Sequence, residues 1–327
     1  MPPTLSCAFA TSPATPDHVV AAEALGYEAA WLYDSPALYP DVWATLALAA
    51  SRTSTIKLGP GVLVPSLRHP MVNAAAIGQL ALLAPGRVQV AVGAGFTGRM
   101  TLGQRSLPWA VVREYVQVLQ ALLAGETAQW EGASIRMMHP DGFASARPLK
   151  LPLLLGADGP KGDAAARDLA DGIFTTSPRP GFDRCAVLTF GTVLAEGEDP
   201  GSERVLDAAG HAGSVILHAL YERRPEVLAA IPGAKEWSDA LDAEIPPGER
   251  HLTLHEGHLV HTASRDTALV TGQFLTTFGA ARTEAGWVDR LRELAEAGAT
   301  EVAYQPAGAD IPGELARFAE VFSAAGR

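Results

Sequence analysis

Cysteine is nearly missing from this chain: two residues, Cys7 and Cys185, among 327. Each sits inside an apolar run, so both are expected as buried free thiols, a pattern that fits a reducing cytoplasm and excludes a disulfide scaffold. Aromatic residues are also few, 7% of the chain, which leaves the core to small aliphatic side chains. Basic residues number 25 against 36 acidic ones, a formal net charge of −11, and they are scattered rather than clustered. No basic patch is therefore expected, and nucleic acid and anionic membrane surfaces drop out as partners. No window approaches the ~20 uninterrupted apolar residues of a membrane-spanning helix. The opening Met1-Pro2-Pro3-Thr4 carries no basic leader before an apolar stretch, so no signal peptide is expected and the protein reads as cytoplasmic.

What the chain does have is 48% hydrophobic residues, set out as short apolar runs alternating with helical patterns. Strands are predicted at 5–10, 29–33, 56–63, 88–92, 151–155, 172–175, 185–195 and 301–304. Helices are predicted between them, at about 16–25, 40–52, 70–83, 109–124, 162–170 and 287–297, with a closing helix at 312–324. A hairpin is predicted to leave the pattern near Gln129-Trp130-Glu131-Gly132. Few other hairpin signals occur, and parallel strands need crossovers of this kind. The expected fold is α/β, a (β/α)8 TIM barrel forming one domain over residues 1–327, as such barrels do at this length. An insertion is expected between strands seven and eight: 203–242 reads as a helix plus extra chain, and 251–261 resists assignment.

In such barrels the active site lies at the C-terminal ends of the strands. Three of those ends are rich in glycine: Gly59-Pro60-Gly61-Val62, Gly93-Ala94-Gly95-Phe96 and Gly156-Ala157-Asp158-Gly159-Pro160. Glycine lets backbone approach a flat ring or a phosphate closely, although any one of these could simply make a tight turn. The third precedes a helix, whose exposed N–H groups and positive dipole end form an anion site with Lys161 nearby. Thr175-Thr176-Ser177 ends the next strand on the same face.

Ile56-Lys57-Leu58-Gly59-Pro60-Gly61-Val62 with Arg68-His69-Pro70 resembles the third strand of bacterial-luciferase-like flavin and deazaflavin oxidoreductases. Leu83 to Val88 with Val92 to Gly95, and Gly156 to Pro160 with Ala170-Asp171-Gly172, match the same family, closest to its methylenetetrahydromethanopterin reductase branch. The resemblance covers roughly residues 4 to 177. It implies an isoalloxazine-type ring held against strands three and four by Gly61, Val62, Gly93, Ala94 and Gly95. It also implies a phosphate held by Gly156, Ala157, Asp158, Gly159 and Pro160, with Thr175 and Thr176 beside it. A non-prolyl cis peptide is implied at about Gly61-Val62. Relatives of this kind often pair as homodimers through helices two and three, here rich in Ala and Leu.

The chain departs from its best-known relatives where catalysis is concerned. Ser35 and Phe96 stand nearest the places where deazaflavin alcohol and sugar-phosphate dehydrogenases have His and Glu, and strand one carries no acid. The remaining acid–base candidates are Asp34, which could equally brace its loop, and His69, which could equally satisfy backbone at a helix start. The histidines at 251, 255, 258 and 261 are read as pocket lining or packing; His255-Glu256-Gly257-His258 is one residue short of the zinc helix motif, and no metal is expected. Three readings follow: hydride transfer between coenzyme F420 and a small organic substrate, an FMN-dependent monooxygenase, or a ring-binding barrel without turnover.

Overall fold

The structure, a computed structural model, describes residues 3–326; the leader reading at Met1-Pro2 lies outside them. Eight strands form one sheet: β1 (Thr4–Phe9), β2 (Ala29–Leu32), β3 (Lys57–Pro60), β4 (Val90–Gly93), β5 (Leu153–Gly156), β6 (Gly172–Thr175), β7 (Cys185–Phe190) and β8 (Glu301–Gln305). Their order is β3-β2-β1-β8-β7-β6-β5-β4. Parallel bridges from Leu58 to Val88 and from Leu63 to Val92 link the two ends of that order, making a near-closed barrel. The strands are short apolar runs because both faces are covered; β2, β4 and β6 are buried at every residue.

Helices α1 (Thr15–Ala24), α2 (Val42–Ala50) and α3 (Pro70–Leu83) follow the first three strands. A short helix, α4 (Phe96–Met100), leaves β4 ahead of α5 (Trp109–Ala124), which matches its predicted range. The stripe Val112, Tyr115, Val116, Leu119, Leu122 and Leu123 of α5 is buried, as its 3.6-residue period requires. The hairpin expected near Trp130 is formed by Ala128–Trp130 and Ala133–Ile135. Helix α6 (Pro160–Leu169) joins β5 to β6. Cys7 and Cys185 are buried and free, as expected.

Two strands are interrupted within their predicted extents, while the others differ by a residue or two at most. The third ends at Pro60; the chain then passes a cis Gly61–Val62 peptide and meets β4 again at Leu63, whose N–H bonds Ala91 O at 2.8 Å. The seventh breaks at Gly191, where φ is +126° and a Cβ would stand 2.2 Å from the Ala280 carbonyl oxygen. Thr192–Leu194 then pairs in parallel with Ala281–Thr283, a strand the sequence pattern does not announce.

Contacts divide the chain into two compact units. The first runs to Arg99 and includes Arg105–Leu188 and Leu294–Ala303. At the N-terminal ends of its strands, Glu301 is 3% exposed and accepts from Trp31 Nε1 at 2.7 Å and Arg184 Nη2 at 2.8 Å. The second unit contains Met100–Gln104, Thr189–Glu293 and the chain from Tyr304. It holds most of the insertion between β7 and β8, led by α7 (Glu203–Arg223), with its own core around Leu217, Trp237, Leu241 and Leu275. Buried Glu314 ties that unit together, accepting from Thr192 Oγ1 and Arg204 Nη1 at 2.6 Å each. Among the described residues, no helix is long and apolar enough to cross a membrane.

Candidate active site

The glycines at the ends of β4 and β5 have one explanation in common, the side chain of Val62. Gly93 and Gly156 are cross-strand partners. A Cβ on Gly93 would stand 2.7 Å from Val62 Cγ2, and one on Gly156 would stand 2.7 Å from Val62 Cγ1. The two glycines therefore make room for the isopropyl group that the turn after β3 sends between them. Gly61 lies against Trp31 of β2, where a Cβ would stand 3.0 Å from the Trp31 Cβ. Gly95 has φ +77° and no room for a side chain beside Val64. Gly61, Val62, Gly93 and Gly95 are thus brought together as one packed unit of backbone, and Ala94 O accepts from Leu107 N–H at 2.8 Å beside them.

The loop from β5 to α6 is fastened from the side. Asp158 Oδ1 gathers Thr175 Oγ1 at 2.7 Å, the Thr176 N–H at 2.8 Å and Thr176 Oγ1 at 2.9 Å. Those three contacts clamp the loop to the end of β6. Gly159 is the N-cap of α6 in extended backbone, φ −165°, with no side chain capping the helix. Its Cα faces open space, with nothing within 4 Å of where a Cβ would be. Gly162, one turn in, is closely packed: a Cβ there would meet Ala157 Cβ at 2.4 Å and Trp109 Cζ2 at 2.5 Å. The first turn of α6 is therefore rigidly seated yet open at its N-terminal tip, where orphan N–H groups attract anions. A flat-ringed, phosphate-bearing cofactor could be held by this tip and by the backbone at 61–62 and 93–95.

Asp34 and His69 are placed differently from those loops. Asp34 is 4% exposed, and Arg68 Nη1 reaches both its oxygens, at 2.6 and 2.5 Å. Burial pushes its carboxyl above the ordinary value, with the Arg68 guanidinium and the Val64 N–H pulling the other way. Arg68 Nη2 holds Asp41 at 2.7 Å, and Asp41 caps α2 through the Trp43 and Ala44 N–H groups. Arg68 thus ties Asp34 to the cap of α2. His69 is exposed and caps α3, its Nδ1 accepting from Met71 N–H at 3.1 Å. Its ring meets Trp130 edge-on at 6.1 Å, beside Tyr115, rather than the glycine loops.

Sequence reasoning did not foresee the contacts that Arg68, Trp109 and Val64 make. Arg68 stands in the family-like block Arg68-His69-Pro70, but its partners Asp34 and Asp41 lie 34 and 27 residues earlier; nothing in the sequence marks Trp109 as the residue that Gly162 accommodates. Among the described residues, no group of three or more His, Cys, Asp or Glu side chains is arranged to hold a metal ion.

Known proteins of similar sequence and fold carry the same architecture. The chain is 27% identical over 313 residues to 5,10-methylenetetrahydromethanopterin reductase of Archaeoglobus fulgidus, covering 90% of each. It is 28% identical to F420-dependent glucose-6-phosphate dehydrogenase of Beutenbergia cavernae, over 93% of this chain and 90% of that one. The solved coenzyme F420-dependent tetrahydromethanopterin reductase of Methanopyrus kandleri superposes with a TM-score of 0.66 at 19% identity, covering 98% of each chain. That last likeness concerns the fold. The family model described as luciferase-like monooxygenase matches residues 10–301, most of the chain, and the protein therefore belongs to this family of oxidoreductases.

Proposed function

We propose that the protein uses coenzyme F420 for hydride transfer to or from a small organic substrate. The observation that carries this reading is the uncapped, open N-terminus of α6 at Gly159, three residues beyond Gly156 of the Val62–Gly93–Gly156 packing. These residues fit a phosphate-bearing ring cofactor: the helix tip is open to a phosphate, and the backbone at Gly61, Val62, Gly93, Ala94 and Gly95, packed around the Val62 side chain, offers a close wall for the ring. When bound, the deazaflavin supplies a hydride donor or acceptor. Gly156, Ala157, Gly159 and Pro160 hold the phosphate end, while Asp158, Thr175 and Thr176 fix the loop that presents them. Asp34 is a positioning residue acting through Arg68. His69 keeps Nε2 outside its cap bond and is the remaining acid–base candidate. Curated relatives of similar length named for this coenzyme support the choice.

Titration of the purified protein with F420 and with FMN, read by fluorescence, tests the proposal. Saturable binding of F420 with weak or no FMN binding is expected. Tight FMN binding without a response to F420 would overturn it. In that case the second reading, an FMN-dependent monooxygenase, predicts oxygen consumption with reduced FMN. The family's description as luciferase-like monooxygenase favours that second reading over a ring-binding barrel without turnover, and Ser35 and Phe96 place the chain apart from the deazaflavin dehydrogenases.

We also propose a homodimer. Helices α2 and α3 contain no charged residue, yet they expose Leu48, Val72 and Leu82 at 51–54%. Such a face is expected to be covered. Light scattering should give twice the chain mass, falling to one chain mass in Leu48→Glu; a monomeric parent protein would sink the assignment.

A further inference from the structure

Six of the chain's nine histidines lie between 211 and 261 in the second unit, and no ring- or phosphate-binding role uses them. Helix α7 supplies His211 and His218, seven residues apart and so on one face. The short helix Arg250–Leu254 and the turns after it supply His251, His255, His258 and His261. His255 Nδ1 lies 3.5 Å from His258 Nδ1, the rings meeting edge to face at 5.1 Å. His258 also feels His218 and His211, His255 feels His218 and His251, and His211 feels His261. His211 is 0% exposed with neither ring nitrogen hydrogen-bonded, and His218 Nδ1 and His255 Nε2 are buried without partners.

Few opposite charges face this group. Asp266 is 1% exposed; its Oδ1 accepts from Trp237 Nε1 at 3.1 Å. Its Oδ2 lies 2.7 Å from His218 Nε2, close but not aligned as a hydrogen bond. Trp237 stacks on the His218 ring. Arg250, Tyr221 and Asp242 bond among themselves and neutralise one another locally, and Glu256 is exposed. The one buried carboxylate among these groups, Asp266, lies beside His218, and the other rings face mainly one another.

Apart from Arg250, which bonds Tyr221 of α7 and Asp242, the segment carrying the later histidines has few other ties. Leu254 is its buried apolar anchor, while Leu252 and Val260 are 60% and 45% exposed. Gln305 Nε2 donates to Leu259 O at 2.8 Å, and Leu259 sits at φ +60°. We propose that residues 250–261 form an acid-released strap, held against α7 by neutral histidine rings and let go when those rings take up protons. Burial first, and the neighbouring histidines second, hold His255 to about 4 and His258 to about 3 while the strap is closed. In water the same rings would return to an ordinary value near 6.5. Protons therefore bind the open form preferentially, and acid shifts the balance toward it. The inference rests on the second unit alone and does not depend on the cofactor.

Hydrogen–deuterium exchange of the whole protein at pH 7.5 and 5.5, corrected for intrinsic exchange, tests it. Protection of the peptide spanning 250–261 should fall about tenfold for each of the two rings, roughly a hundredfold together, while β2 to β5 keep theirs. The double variant His255→Phe, His258→Phe retains ring volume but cannot titrate, and it should lose this response. If that variant fails to fold, 15N-histidine spectra of the parent protein should show both rings titrating in step with the opening. Three outcomes would overturn the strap: no acid response in 250–261, a rise spread evenly over the second unit, or an undiminished response in the variant.

Discussion

Val62 is the residue on which the barrel mouth turns. Its two methyl groups occupy the positions where side chains on Gly93 and Gly156 would begin. Gly156→Ala is therefore an overpacking change, expected to cost about 1–3 kcal/mol. Val62→Ala in the same chain removes the opposing methyls, so the double variant should recover much of the loss. Thermal melts of the four proteins in a double-mutant cycle measure this; costs that simply add would show that the contact is not what excludes a side chain. These glycines were visible in the sequence, but their partner was not. Read one strand at a time, Gly93 and Gly156 read simply as ligand contacts; only the barrel's register shows that the valine of the turn after β3 also packs against both. Asp34 shows the same limit, since its Arg68 partner is 34 residues away in sequence. As a brace, Asp34 predicts that Asp34→Asn lowers the melting temperature and leaves the shape of the pH–rate profile unchanged. Loss of one limb of that profile would return Asp34 to acid–base work.

At the scale of elements, helix α6 is the one whose N-terminus the proposed function uses. Gly159 caps it with no side chain, and its extended backbone is open to any residue. Gly159→Asp supplies a carboxylate that can accept from the first-turn N–H groups. The helix should be as stable as before or slightly more so, while an anionic cofactor group now meets a competing charge at the tip. An unchanged or higher melting temperature with at least tenfold weaker F420 binding is expected. Equal affinity in the variant would move the phosphate away from α6. The long elements were legible beforehand because their periodicity is local: α3 and α5 stand where the sequence put them. The pair Thr192–Leu194 and Ala281–Thr283 was not, being three residues on each side with no room for a period to show. The 250–261 segment escaped for a related reason, as its order comes from histidine packing rather than from an apolar stripe.

For the whole molecule, acid is expected to act in two windows. In the second unit, burial holds His211 to about 4, alongside His255 and His258. A histidine depressed in the folded state contributes stability that is fully present above its unfolded value near 6.5, and that is lost as pH falls toward 4. Carboxylates work lower down. Burial opposes ionisation of Glu23, but the Ser54, Thr55 and Ile56 N–H groups bring it to about 2, and Arg204 does the same for Glu198. Their contribution is present above the ordinary 4.5 and is lost as pH falls toward 2. Glu23 belongs to the first unit, which has no counterpart of the buried histidine group among the described residues. Between pH 6 and 5 the second unit should therefore loosen first at residues 250–261 while the barrel strands β1 to β5 hold, and only below about pH 4.5 should both units give way. Calorimetry at pH 7.0, 5.0 and 3.5, with proteolytic cuts mapped by mass at each pH, separates the two. Early cuts confined to 250–261 at pH 5.0 fit this order; a first cut within β1 to β5 would reverse it.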